Sequence, residues 1–197
     1  MNNSLFIIIL FLALSCKNEK SSEFYSISIP KNYTLKSSKQ EIIKNDVLYI
    51  DEKKYSGYIY EMFPNSKDTL FIESYFNGKL SGVLKKWYTV NQLKEERFYF
   101  EGKKNGKQIA YWENGNKKFE FTAKDDAYEG ELKEWSFDGK LSHLGNFVKG
   151  QEEGIQKLWY DTGKIRANYV IKNGKRYGLL GTKNCKNVST DNLFTIK

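Results

Sequence analysis

Apolar and polar positions follow two regimes along this chain. Residues 5–14 form one unbroken apolar run, LFIIILFLAL. From about residue 42 onward, segments of eight to ten residues rich in Tyr, Trp, Phe, Ile and Leu alternate with short polar breaks. Segments of that length suit strands and are short for helices. Val83 to Tyr88 and Ile165 to Ile171 are examples. Several breaks hold Asn-Gly or Asp-Gly: Asn77-Gly78, Asn114-Gly115, Asp138-Gly139 and Asn173-Gly174. These pairs accept positive φ and predict tight primed turns. The pattern therefore reads strand, turn, strand, turn, and the expected class is all-β.

The breaks are periodic. Glycines stand at Gly57, Gly82, Gly106, Gly130, Gly154 and Gly178, at intervals of 25, 24, 24, 24 and 24 residues. Four residues before most of these main glycines come Gly78, Gly102, Gly150 and Gly174, with Asp126 in the remaining place. Nine residues after come Gly115, Gly139 and Gly163, with Ser66 and Asn91 as substitutes. All four tryptophans fall five or six residues after a main glycine: Trp87, Trp112, Trp135 and Trp159. A single hairpin cannot bury its own apolar surface, so repeated hairpins must stack on their neighbours. The expected architecture is an elongated single-sheet solenoid of stacked β-hairpins, five units giving a ribbon roughly 50 Å long. Val47 to Ile50 is expected to close an incomplete leading unit, and Tyr177 to Thr182 to begin a sixth that breaks off. The sheet ends need protection against edge pairing. Phe24 to Leu35 and Asn192 to Lys197 are the candidates.

Gly82-Val83-Leu84-Lys85-Lys86-Trp87-Tyr88 and Gly154-Ile155-Gln156-Lys157-Leu158-Trp159-Tyr160 repeat one phrase. Phe76-Asn77-Gly78-Lys79 and Tyr111-Trp112-Glu113-Asn114-Gly115 fit the same unit. This phrase resembles the MORN repeat (membrane occupation and recognition nexus), in the bacterial variant found in proteins labelled antitoxins of the YwqK type. The resemblance spans about Tyr49 to Thr182. It implies a repeat sheet and, from those labels alone, a protein that binds and neutralises a toxin. The units at Pro64 and at Asp125-Asp126 depart most from the phrase.

The apolar run at residues 5–14 is too short to span a bilayer, which takes about 20 residues, and suits the core of a signal peptide. Ala13-Leu14-Ser15-Cys16 follows directly. It resembles a loose bacterial lipobox, which implies cleavage after Ser15 and lipidation of Cys16. Two acyl chains suffice for stable anchoring. The expected organisation is a lipoprotein signal peptide at 1–15, a lipidated N-terminus and tether at 16–41, a repeat array at 42–183 and a C-terminal cap at 184–197. The expected location is a bacterial cell envelope.

Strand alternation places the third and fifth residues after a main glycine on one face. Lys85 then precedes Trp87, Lys133 precedes Trp135 and Lys157 precedes Trp159, giving a Lys/Trp strip. Two readings stay open. The lysine stems can cover sheet-packing indoles, or the strip can be a platform for a glycan, a headgroup or an envelope protein. Trp112 belongs to the same aromatic set. Lysines also recur in the turns, among them Lys79, Lys103, Lys117, Lys118, Lys140 and Lys164. With a net charge of +8, such rims can rest on anionic lipid, or be no more than solvated edges of the sheet.

The remaining composition narrows the chemistry. Hydrophobic residues make up 40% of the chain, enough for a core. One histidine, His143, and two cysteines, Cys16 and Cys185, offer no metal-ligand spacing and no disulfide framework. Glu95-Glu96, Glu152-Glu153 and Asp125-Asp126 are adjacent pairs, and adjacent strand residues point to opposite faces. No phosphate loop, nucleophile elbow or dinucleotide fingerprint is present, and nothing resembles a nucleic-acid-binding motif. The expectation is a non-enzymatic binding or scaffold protein without cofactor or metal, partnered by the membrane through its lipid. An antitoxin or immunity role is the alternative.

Overall fold

The computed structural model describes residues 27–179. The expected signal segment, Cys16, Cys185 and the tail from residue 180 lie outside the described residues. A short strand β1 (Tyr33–Leu35) leads into a single 3-10 turn, Lys36–Ser38. Three short strands follow: β2 (Glu41–Lys44), β3 (Val47–Ile50) and β4 (Lys53–Lys54). The repeats then supply eleven strands. They are β5 (Gly57–Met62), β6 (Thr69–Phe76), β7 (Lys79–Thr89), β8 (Gln92–Phe100), β9 (Lys103–Tyr111) and β10 (Lys117–Lys124). They continue as β11 (Ala127–Trp135), β12 (Leu141–Val148), β13 (Gln151–Trp159), β14 (Ile165–Lys172) and β15 (Lys175–Leu179). Strands β5 to β15 join in sequence order into one long antiparallel sheet, with β1 added parallel to β5. The all-β, elongated hairpin sheet expected from the period is the observed fold.

The two rims turn differently. On one rim the turns are two residues long and both residues have positive φ, the type I′ geometry that matches strand twist. Asn77-Gly78, Glu101-Gly102, Asp125-Asp126, Lys149-Gly150 and Asn173-Gly174 all adopt it, at 24-residue intervals. On the other rim, Gly115 donates its N–H to the Trp112 carbonyl and Trp112 donates to the Asn116 carbonyl. Gly139 with Ser136 and Gly163 with Tyr160 repeat this arrangement. That is a type I turn closed by a left-handed glycine. Asn114-Gly115 and Asp138-Gly139 are therefore not primed turns, since only the glycine of each pair has positive φ.

The main glycines are not turn residues at all. Each of Gly82, Gly106, Gly130 and Gly154 sits inside a strand with φ between 76° and 103°. The register slips beside them. Tyr75 pairs with Leu80 but Glu73 pairs with Leu84, and Phe147 pairs with Glu152 but Gly145 pairs with Gln156. Such a bulge frees backbone carbonyls that need donors. Gln108 Nε2 donates to the Phe98 carbonyl at 2.8 Å, and Gln156 Nε2 donates to the Asn146 carbonyl at 2.7 Å. Ser74 Oγ donates to the Val83 carbonyl at 2.7 Å. These three side chains are fully buried. Two residues after each main glycine the column reads Ile59, Leu84, Gln108, Leu132, Gln156, and every member is buried.

Val47 to Ile50 does form a strand, but not as part of the leading repeat. β3 lies in a separate three-stranded sheet with β2 and β4. Its alternation points Leu48 and Ile50 at Ile59, where Tyr55, Phe71 and Tyr75 complete a small core. β1 takes the edge beside β5 instead.

Candidate functional site

The Lys/Trp strip depends on where the rim irregularity falls. Lys86 pairs with Glu95 and Trp87 with Leu93, so Lys94 on the return strand has no opposite residue. Ser142 and Arg166 are left out in the same way. The forward strands keep their alternation, so Lys85 and Trp87, Lys133 and Trp135, and Lys157 and Trp159 share one face. All four tryptophans are half-buried at one rim. Across the middle of that face Lys85, Glu96, Ile109, Glu120, Lys133 and Leu144 stand side by side, and Lys157 follows Leu144.

Two neighbour pairs in this row, Lys85 with Glu96 and Glu120 with Lys133, set opposite charges directly across the ladder, where they attract. Lys85 Nζ lies 2.9 Å from Glu96. Lys133 bonds to Glu131 two residues earlier on its own strand. Glu120 accepts from Lys107, at 2.6 Å, and from Lys117. Those two hydrogen bonds hold the Glu120 carboxyl below the usual carboxylate range, and the same contact holds the Lys107 ammonium above its usual value. Between β9, β10 and β11 the strip opens into a groove of about 630 Å³, lined by three lysines, Lys107, Lys117 and Lys133, and three glutamates, Glu120, Glu129 and Glu131. Trp135 forms one wall. Formal charge in the groove is balanced.

The aromatic rim is tied from repeat to repeat. Tyr88 donates its hydroxyl to the Tyr111 carbonyl at 3.2 Å, and Trp112 Nε1 donates to the Trp135 carbonyl at 3.0 Å. Both donors stand six residues after a main glycine, and both acceptors five after the next. The extra residues of β8 and β10 lay a cation on the same two rings. Lys94 Nζ is 5.1 Å from the Tyr88 centroid, and Lys118 Nζ is 4.3 Å from that of Trp112. Lys117 Nζ stands 5.6 Å over Trp135. The cations on the rings thus come from the neighbouring strand, not from Lys85, Lys133 or Lys157. The chain carried a signal for this. Twelve residues after the main glycine it has Lys94, Lys118, Ser142 and Arg166, and six after it has Tyr88, Trp112, Ser136 and Tyr160. A cation accompanies Tyr88, Trp112 and Tyr160, serine accompanies serine, and Phe63 of the first repeat has the apolar Leu70 left out of register instead.

The opposite face carries its own polar cluster. Arg97 Nε lies 2.8 Å from Glu95, and Lys86 Nζ lies 3.5 Å from Glu95 and 4.0 Å from Glu73. Burial pushes the Glu95 carboxyl up, but the bond and charge of Arg97, with Lys86, outweigh it and leave the group lowered. Glu95 and Glu96 point to opposite faces, as adjacent strand residues must. His143 Nδ1 is 3.1 Å from Glu134, and this bond holds the Glu134 carboxyl down. Cys16 lies outside the described residues. No protein-family model matches the chain, and no curated protein matches it.

Proposed function

We propose that the protein is a non-enzymatic, lipid-anchored module of a bacterial cell envelope, and that its MORN-like repeat sheet is a surface for binding or scaffolding. The observation that carries this reading is the charge-balanced groove beside Trp135, on the face that Lys85, Lys133 and Lys157 share with their tryptophans. Its lysines and glutamates neutralise one another, so a free anion would have to displace a carboxylate from each ammonium. A partner with its own mixed polar surface, such as an envelope protein or a glycan, can exchange hydrogen bonds with both signs and stack on the indole. The lipobox-like Ala13-Leu14-Ser15-Cys16 supports the anchor.

Two measurements test this. Metabolic labelling with a palmitate analogue should mark the wild-type chain and leave Cys16→Ser unmarked. Proximity labelling in the native cell should enrich envelope components, and Trp135→Ala combined with Lys133→Glu should remove them. An unlabelled wild-type chain would overturn the anchor. An enriched set that ignores the double substitution, or one made of cytoplasmic proteins, would overturn the binding surface.

A further inference from the structure

Four asparagines stand directly before a glycine: Asn77, Asn105, Asn114 and Asn173. In such a pair the glycine nitrogen can attack the asparagine side-chain amide, because no Cβ on the glycine crowds the approach. The glycine N–H gives its proton to a solvent base, and a bond forms between that nitrogen and the asparagine Cγ. The Cγ–Nδ2 bond breaks and ammonia leaves, taking up a proton. Water then opens the cyclic imide at either carbonyl, which leaves aspartate or isoaspartate. The reaction needs a nitrogen free to lose its proton, a side chain free to swing onto it and a turn free to open.

The fold withholds these conditions from three of the pairs. Gly78 is buried, its N–H donates to the Tyr55 carbonyl at 2.7 Å, and its carbonyl accepts from the Leu48 N–H at 2.8 Å. The Asn77 N–H is bound to Ser56 Oγ at 2.8 Å. Asn105-Gly106 lies inside β9, where Gly106 is buried and paired with Ala123. Gly115 is exposed, but its N–H donates to the Trp112 carbonyl at 2.9 Å. The Asn114 side chain is held at both ends, with Nδ2 donating to the Phe137 carbonyl at 2.6 Å and Oδ1 accepting from the Asn116 N–H at 3.1 Å.

Asn173-Gly174 differs on every count. Both residues are exposed, and nothing lies within 4 Å of the place a Cβ on Gly174 would take. The other primed turns tie the N–H of their second residue to a carbonyl of the preceding repeat, Gly102 to Leu80, Asp126 to Lys104 and Gly150 to Tyr128. Among the described residues the Gly174 N–H has no such acceptor, and the Asn173 side chain makes no hydrogen bond. Lys172 pairs with Lys175 across the base of the turn. Their positive charges favour the anionic form of the attacking nitrogen.

We propose that Asn173 is the deamidation site of the folded chain, because the fold leaves its glycine nitrogen and its side-chain amide untied. Aspartate fits this turn, since Asp125 holds the equivalent place at φ 51°, against 53° for Asn173. Isoaspartate routes the main chain through the former side chain. The added backbone carbon breaks the Lys172–Lys175 pairing that closes β14 on β15. Conversion therefore adds a negative charge between two lysines, and its isoaspartate fraction loosens β15.

The test incubates the full chain at mildly alkaline pH, folded and in urea. Fragmentation of the intact chain in a mass spectrometer reads each Asn-Gly pair. In the folded chain Asn173 should convert roughly tenfold or more faster than Asn77, Asn105 and Asn114, the margin that one or two hydrogen bonds supply. In urea the four rates should come together. Conversion at Asn77 or Asn114 as fast as at Asn173 in the folded chain overturns the proposal. So does an Asn173 that stays intact in the folded chain while the chain in urea converts. Glu101→Asn isolates the tie, setting the same pair in an exposed primed turn whose Gly102 N–H donates to the Leu80 carbonyl at 2.8 Å. That pair should convert roughly tenfold more slowly than Asn173, and equal rates overturn the assignment.

Discussion

The two rims of the sheet share one period and hold successive repeats together by different means. Along the primed-turn rim the ties are made by backbone. The second turn residues Gly78, Gly102, Asp126 and Gly150 donate their N–H groups to the carbonyls of Tyr55, Leu80, Lys104 and Tyr128 in the preceding repeat. Side chains finish the job one position earlier. Asn77 donates its N–H to Ser56 Oγ, Glu101 to Ser81 Oγ and Lys149 to Glu129 Oε2. Along the aromatic rim the ties are made by side chains, the Tyr88 hydroxyl and the Trp112 indole. A backbone tie tolerates almost any residue that can take the turn, which is why Asp126 can stand among the glycines of that row. A side-chain tie demands a ring with a donor, which is why Tyr and Trp recur on the other rim.

Substitutions can break or sharpen this contrast, beginning with the largest effect. Gly78→Ala should cost about 3–4 kcal/mol. Its φ is 77°, and the added Cβ would stand 2.4 Å from Val47 Cγ1 and 2.7 Å from the Leu48 carbonyl oxygen. Gly102→Ala occupies the equivalent turn position, at φ 87°, with nothing within 4 Å. It should cost only the left-handed penalty, about 1–2 kcal/mol. Equal drops in Tm for the two would mean that the small N-terminal sheet does not lean on this rim.

On the aromatic rim, Trp112→Ala should cost about 3 kcal/mol, and Trp112→Phe about 1 kcal/mol for the lost indole bond alone. Urea midpoints separate the two, and a harmless Trp112→Phe would remove the claimed tie. Ser81 is 1% exposed and accepts from the Glu101 N–H at 3.1 Å. Ser81→Ala orphans that donor, and a loss of about 1–2 kcal/mol should follow. Asp126→Gly trades two small effects. It relaxes a left-handed residue at φ 69° but removes the Oδ1 that accepts from the Lys104 N–H at 2.9 Å. A net change within about 1 kcal/mol is expected, and a large loss would make that side chain, not the backbone, the tie.

The smallest effect is a pH dependence. The folded-state pKa of Glu120 is depressed from 4.5 by Lys107 and Lys117. Its contribution to stability is therefore present above pH 4.5 and is lost as pH falls through the lower folded value. Glu120→Gln should flatten the stability profile on the acid side of pH 4.5. A profile with unchanged slope would mean that these lysines do not hold the carboxylate.

Much of this was legible in the chain because a repeat writes each structural demand several times. Glycine spacing and the 24-residue aromatic columns disclosed the strands, the stacking and the common face of Lys85, Lys133 and Lys157 with their tryptophans. Local reading misassigned what lies beyond one hairpin. Asn114-Gly115 looks like Asn77-Gly78, yet only the second makes a primed turn, because loop length is set by where the flanking strands resume pairing. Val47 to Ile50 reads as one more strand, and nothing in its own alternation says that Leu48 and Ile50 meet Ile59 from a second sheet. Ser56, Ser81 and Glu129, each just before a main glycine, accept from a turn N–H, and their identity is plain in the chain. Their purpose is not, since the group each serves lies about twenty residues away.

The sequence by itself determined the period, the strand-forming segments and which residues alternate to one side. Those properties follow from φ preferences and side-chain direction within a few bonds. Only the tertiary structure decided that the main glycines are bulges, that Lys85 meets Glu96 across the ladder, and that the cations on Tyr88 and Trp112 come from the return strand. Each of these depends on register across the ladder, and a slip of one residue would exchange every partner without altering a single local preference.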